Sequence, residues 1–311
     1  MLEKVEIAQA MDLVPNTSIS LFENLPRLHD VLLKGPSHCW NLPWAQLTRL
    51  RYHVSSVREG VQVVHLCPQL AECTLEMLAE AADMDLPPID LSRHLRFLRV
   101  AVNISMVTHS AEAIMKTIFT CLTAPELVAL EVVGQFAPED FISFLTRSDC
   151  PLENLFLGPG YVNPNTLIAV FKAVPGLRRL VVDADMGTTR RLQNRAITAK
   201  VLERLTIYPA AESLSDSDYL LPQLEHLGLT TGMNFLDQPL LDLIESRWVP
   251  WATEVHGVPV MRLTSVDLDF TGTTTGRWLH PTSVEALKLF SEAGLPISLK
   301  NNGTQVSLLL S

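Results

Sequence analysis

Arg179 and Arg204 stand 25 residues apart, each immediately before the second leucine of one pattern: Leu177-Arg-Arg-Leu-Val-Val and Leu202-Glu-Arg-Leu-Thr-Ile. Phe156, Tyr208 and His226 hold neighbouring places in strings of the same kind. Arginine and the aromatic residues supply the few contacts that dominate affinity between proteins. Phe156, Arg179, Arg204, Tyr208 and His226 are therefore the candidate partner-binding set, and their chemistry is recognition: a planar cation for a carboxylate and ring faces for apolar groups. Patterns for other chemistry fall short. Asp183-Ala-Asp185-Met-Gly187 opens like a calcium loop but lacks the third carboxylate and the distal Glu. Gly272-Thr-Thr-Thr-Gly276 is followed by no Gly-Lys-Ser/Thr, so it is no phosphate cradle. Cys67 and Cys73 stand six apart and His38-Cys39 is isolated, which does not match zinc-ligand spacing. No Gly-x-Ser-x-Gly or His-Glu-x-x-His occurs. The sequence predicts no catalytic residue, no metal and no cofactor.

A repeat positions the candidate residues. The pattern L-x-x-L-x-L, with Val, Ile, Tyr and Cys admitted, recurs at Leu28-Val31-Leu33, Leu47-Leu50-Tyr52, Leu70-Cys73-Leu75, Leu95-Leu98-Val100 and Leu127-Leu130-Val132. It continues at Leu152-Leu155-Leu157, Leu177-Leu180-Val182, Leu202-Leu205-Ile207, Leu224-Leu227-Leu229 and Leu263-Val266-Leu268. The gaps between first leucines are 19, 23, 25, 32, 25, 25, 25, 22 and 39 residues. Three successive gaps of 25 lie inside the leucine-rich-repeat range of roughly 20–29 residues. In a strand the pattern residues face inward and those between them face outward. The outward central column is then Leu32, Arg51, Thr74, Arg99, Glu131, Phe156, Val181, Thr206, Gly228 and Asp267, with Arg179 and Arg204 on successive strands beside it.

Apolar spacing of three and four predicts helices over 110–122, 138–146, 164–173, 238–248 and 282–293. Prolines at 68, 125, 151, 175 and 222, one or two residues ahead of a first leucine, end the preceding helix. The predicted fold is α/β: a leucine-rich-repeat solenoid, horseshoe or arc, with parallel concave strands and convex helices, each unit touching its neighbours. Residues 1–24 are read as an N-terminal cap or remnant, 25–280 as repeats with a long insertion at 230–262, and 281–311 as a C-terminal cap. Inserted loops on such scaffolds are frequent partner sites.

Several strings carry a family resemblance. They are Leu42-Pro-Trp-Ala-Gln-Leu-Thr-Arg-Leu50, Val64-His-Leu-Cys-Pro-Gln-Leu-Ala-Glu-Cys73, Asp140-Phe-Ile-Ser-Phe-Leu-Thr-Arg-Ser148 with Cys150-Pro-Leu-Glu153, Leu220-Leu-Pro-Gln-Leu-Glu-His-Leu227 and Leu241-Asp-Leu-Ile-Glu-Ser-Arg-Trp248. Together they resemble the leucine-rich region of the large fungal F-box protein families, over nearly the whole chain. The resemblance implies the substrate-recognising arm of a cullin-type ubiquitin ligase, in which an F-box grips an Skp-type adaptor. No F-box is recognisable ahead of Leu28, so the expected partner is a protein substrate, with an Skp-type adaptor only where an upstream F-box exists. The alternative is a leucine-rich regulator of an enzyme, such as a GTPase-activating scaffold with a loop arginine. Such activators carry regular repeats and an acidic tail, whereas this chain has irregular spacings and ends Gln305-Val-Ser-Leu-Leu-Leu-Ser311.

Composition narrows the classes further. The 311 residues are 47% apolar with a net charge of −10, enough apolar material for a continuous core and no basic stripe for nucleic acid. No apolar run nears the roughly 20 residues of a membrane span, and charged residues interrupt the N-terminus. Five scattered cysteines suit a reducing compartment, so the expected location is cytoplasmic or nuclear.

Overall fold

The computed structural model describes residues 2–8, 25–54, 56–77, 89–91, 94–102, 111–160, 162–184, 196–207, 220–232, 237–248, 254–255, 258–271 and 279–306. The chain divides into two compact units, Met1–Leu152 and Glu153–Ser311. The first holds strands β1 (Lys4–Ala8), β2 (Asp30–Lys34), β3 (Arg49–Val54), β4 (Glu72–Met77), β5 (Ile89–Asp90), β6 (Phe97–Val102), β7 (Leu122–Thr123) and β8 (Ala129–Val133). Its helices are α1 (Val57–His65), α2 (Ala111–Cys121) and α3 (Pro138–Ser148). Strands β1, β2, β3, β4, β6 and β8 pair in that order, all parallel. The short β5 and β7 pair with each other.

The second unit holds β9 (Asn154–Leu157), β10 (Arg179–Asp183), β11 (His226–Thr231), β12 (Glu254–Val255), β13 (Val258–Pro259), β14 (Ser265–Phe270), β15 (Ile297–Asn301) and β16 (Thr304–Gln305). Its helices are α4 (Pro164–Ala173), α5 (Ala199–Leu205), α6 (Asp237–Trp248) and α7 (Pro281–Glu292). Here β9, β10, β11, β14 and β15 pair in parallel and in sequence, and β16 returns antiparallel on β15. Asn302 and Gly303 make that hairpin turn at φ 50° and 76°, the left-handed pair a two-residue hairpin requires. Both units are mixed α/β with a parallel-dominated sheet.

The pattern residues account for the core. In all ten strings the three pattern positions are buried, none more than 6% exposed. Nine of the strings continue into strands of these sheets. Their entries repeat one hydrogen-bond arrangement: the carbonyls of His29, Thr48, Ala71 and Arg96 in the first unit, and Glu153, Arg178 and Glu225 in the second, each accept two successive N–H groups from the next string. Helix starts follow the sequence signals. Pro138, Pro164 and Pro281 each open a helix, where a missing N–H costs nothing. Asn163 caps α4 by accepting from Thr166 N–H at 2.9 Å.

The tenth string departs from expectation. Leu202–Ile207 was predicted as a strand carrying Arg204 outward, yet Ala199–Leu205 is helix α5. A leucine spacing of three is also one helical face, and Ala-Lys-Val-Leu-Glu-Arg-Leu is mostly strong helix formers. Thr198 caps it, accepting from Val201 N–H at 3.4 Å. Strand β11, not a strand at 202–207, is therefore the neighbour of β10.

Regular elements also form within the stretches read as end caps and insertion. Within 1–24, β1 joins the sheet edge through β2. Within 281–311, α7 is followed by β15 and β16. The 230–262 stretch contains α6 and the antiparallel β12–β13 pair. Near the end of α6, Arg247 is buried and donates to the carbonyls of Leu205 at 2.7 Å, Leu220 at 2.7 Å and Leu221 at 2.9 Å. Burial pushes its guanidinium down to about 9, so it stays charged at neutral pH. No helix among the described residues is long and apolar enough to cross a membrane.

Candidate recognition surface

Strand alternation sends the residues between the buried leucines to the opposite face of each sheet. In the second unit, parallel register aligns Phe156, Val181, Gly228 and Asp267 in one row, with Asn154, Arg179, His226 and Ser265 beside it. The first row is apolar at one end. Phe156 and Val181 are half-buried, and Gly228 leaves room for its neighbour: a Cβ there would lie 3.1 Å from Val181 Cγ2. Glycine lets the Val181 side chain lie over β11, so the three residues form a continuous shelf.

Polar groups border the shelf. Arg179 is exposed, and no acidic side chain among the described residues pairs with it. His226 is only 8% exposed and bridges two positions of β14. Its Nδ1 lies 2.5 Å from Ser265 Oγ, and its Nε2 lies 3.3 Å from Asp267 Oδ2 without hydrogen-bond geometry. With Nδ1 accepting from the Ser265 hydroxyl, the Nε2 proton faces the Asp267 carboxylate. Burial first, then the Arg179 charge, holds the imidazole below its ordinary pKa, and Asp267 opposes them. At neutral pH the ring is uncharged.

Hydroxyl, imidazole and carboxylate in that order are the groups of an activated serine. Their surroundings differ from those of such a triad. The Asp267 side chain is 54% exposed, whereas the orienting carboxylate of such a triad is buried. The strand N–H groups nearby are committed to the ladder: His226 to Arg178 O, Ser265 to Glu225 O and Val266 to Pro296 O. These three N–H groups are therefore not free to stabilise an oxyanion. The network ties His226 to β14 at the border of the shelf, where Arg179 is exposed. Burial pushes the Cys67 thiol up to about 12 and Cys121 up to about 11, and raises Cys73 further still. Among the described residues no three His, Cys, Asp or Glu side chains converge as metal ligands.

Of the five residues singled out from sequence, Phe156, Arg179 and His226 thus share one face of the second unit. Arg204 does not join them, because it lies on α5. Tyr208 lies outside the described residues, as do Asp185 and the Gly272–Gly276 loop. Ser265 escaped the sequence reading, since its only signal is the register place after His226. Arg247 escaped it too, although its spacing from Leu240, Leu243 and Ile244 puts it on the buried stripe of α6.

The first unit presents a different face. Arg99 and Glu131 pair at 2.5 Å, Lys34 and Glu6 at 3.0 Å, Arg49 and Glu72 at 3.2 Å, and His53 and Glu76 at 3.2 Å. Its charges are largely neutralised across neighbouring strands. No family model matches this chain, and no curated protein matches it.

Proposed function

We propose that this chain is a non-catalytic protein-recognition scaffold of the leucine-rich-repeat kind, binding a partner on the strand face of its second unit. The observation that carries this reading is the exposed Arg179, unpaired by any acid among the described residues, beside the shelf of Phe156, Val181 and Gly228. A free guanidinium next to a half-buried aromatic is the composition of a binding hot spot. Sequential parallel strands with recurring entry carbonyls support the solenoid reading. The sequence resemblance to fungal F-box proteins makes a ubiquitin-ligase substrate the favoured partner, with an Skp-type adaptor engaged only through an F-box elsewhere. The expected partner segment places an apolar side chain on the shelf and an acidic group on Arg179.

The test is affinity capture of partners by the wild-type chain and by Phe156→Ala/Arg179→Ala. Exposed and half-exposed strand positions tolerate such changes, so the variant should fold. Loss of at least tenfold in affinity, or ~1.4 kcal/mol, is expected for the specific partner. Capture unchanged in the double variant would remove the shelf from consideration.

A further inference from the structure

The tight ion pairs of the first unit loosen at one place. Lys4 Nζ stands 3.7 Å from Asp30 Oδ2, and Arg51 Nη2 stands 3.8 Å from Asp30 Oδ1. Both separations exceed hydrogen-bond length. The Asp30 side chain is nine-tenths buried, and its Oδ1 has no hydrogen-bond donor. A buried acceptor left in this state calls for an explanation. The loose cluster coincides with a cavity of about 350 Å³, whose lining runs from Lys4 and Asp30 through Arg51 and Thr74 to Phe97. That lining crosses β1, β2, β3, β4 and β6, and strand spacing makes it a trough roughly 19 Å long.

We propose that this trough binds the carboxy-terminal tail of a partner polypeptide. The cluster asks for two things within a few ångströms: an anion for Lys4 and Arg51, and an N–H donor for Asp30. A peptide α-carboxylate meets both, because the α-carbon that bears it is bonded to a backbone N–H. A fully ionised phosphate monoester brings no N–H donor and sets up to twice the negative charge of a carboxylate against Asp30 and Glu72. A lone cation duplicates Lys4 and Arg51. An acidic side chain in mid-chain holds its carboxylate further from its own N–H. The Arg51 side chain is 45% exposed, so it can turn from Asp30 onto the incoming carboxylate and open Oδ1 to the ligand N–H. The length of the trough selects a tail over a single amino acid. At ~3.3 Å per extended residue, the third residue upstream of the terminus reaches the Phe97 ring. None of these residues belongs to the surface on the second unit, so the two proposals stand or fall separately.

Calorimetry on the full chain tests this with acetyl-Phe-Gly-Gly-Gly carrying a free carboxylate, the same peptide amidated, and free glycine. Saturable binding of the free-acid peptide is expected, weakened at least about tenfold by amidation. Arg51→Ala should weaken it by a similar factor. Because Arg51 is exposed, that variant keeps its fold, while Asp30→Asn tests the donor half of the site. Arg179→Ala should leave this binding unchanged. No saturation up to about 10 mM peptide, equal binding of the amide, or binding that survives Arg51→Ala would overturn the proposal. Glycine binding as tightly as the peptide would also overturn it, by assigning the site to free amino acids.

Discussion

Leu177-Arg-Arg-Leu-Val-Val and Leu202-Glu-Arg-Leu-Thr-Ile have the same three apolar positions, the same arginine place and two β-branched residues at the end. One enters a strand and the other is a helix. All six pattern residues are buried in either case, so hydrophobic burial does not separate them. The backbone does. Before Leu177, Pro175 and Gly176 end α4, and Leu177 N–H closes a turn onto Val174 O. Arg178 and Arg179 then donate outward, both to Glu153 O. Before Leu202 stand Ala199, Lys200 and Val201, which propagate a helix from the Thr198 cap. There Leu202 donates back to Thr198 O and Thr206 back to Leu202 O. Leucine spacing thus chooses which side chains go inside, and the two or three residues ahead of the string choose where its N–H groups go.

The largest effect expected from this comparison is shared by the two strings. Leu180→Asp and Leu205→Asp each put an unpaired carboxylate into a site that is at most 1% exposed. Burying a charge without a partner costs far more than a domain's margin of roughly 5–15 kcal/mol can absorb unless the site rearranges. Neither variant should give cooperatively unfolding soluble protein in a urea titration followed by circular dichroism. A folded Leu205→Asp beside an unfolded Leu180→Asp would show that α5 is dispensable to the core of its unit.

Next in size is Arg247→Met. The end of the helical string is held by Arg247, and Leu205 O and Leu220 O have no other donor among the described residues. Leu221 O keeps the Leu224 N–H. Two orphaned carbonyls at about 1–3 kcal/mol each predict a loss of roughly 2–6 kcal/mol, since methionine fills the space without donating. Arg147 at the end of α3 is a counterpart in the first unit: it donates to Phe119 O, and to Leu122 O at 2.8 Å. Arg147 is exposed, so water can replace its donors, and Arg147→Met should cost about 1 kcal/mol or less. Urea midpoints of the two variants measure the contrast directly.

A smaller effect isolates the start of the helical string. Thr198→Ala removes the side-chain acceptor for Val201 N–H, with an expected cost of about 1 kcal/mol. Thermal unfolding should show it as a drop of a few degrees. Thr206→Ala is the control at the other end, because the Thr206 hydroxyl donates to Leu202 O and caps nothing. A cost for Thr206→Ala well above that for Thr198→Ala would mean that the string is held at its end and not its start.

The sequence was informative wherever one pattern admitted one backbone. Nine strings have a proline, a turn or a short lead-in ahead of them, and their strands fall where the spacing put them. The rows Leu32–Arg51–Thr74–Arg99–Glu131 and Phe156–Val181–Gly228–Asp267 emerged in register. The tenth string has the same 25-residue spacing from Leu177 as the preceding gaps, and what sets it apart is the helix-forming run Ala199-Lys-Val201 behind the Thr198 cap. The sequence could not show that Val181 leans over Gly228, that Ser265 meets His226, or that Asp30 lacks a donor. Those facts arise from register and from side-chain reach across strands, which a one-dimensional pattern does not contain.

The smallest expected effect separates the two arginines that the sequence treats as equals. Arg204 lies in the last turn of α5, where a cation complements the helix dipole by about 0.3–1 kcal/mol. Arg204→Ala should therefore lower stability, with the dipole accounting for about that amount of the loss. Arg179 sits on the outward face of β10 beside the shelf, so Arg179→Ala should leave stability within ~0.5 kcal/mol of wild type. Partner affinity reverses the order. Losing a hot-spot arginine is expected to weaken binding about tenfold, whereas losing Arg204 should change it by less than a factor of about two. Both variants, measured side by side for urea midpoint and for capture of one partner, place each arginine on one axis. If Arg204→Ala were the one to abolish capture, recognition would belong to the helical side of the second unit, and the shelf around Phe156 would be an ordinary solvated strand face.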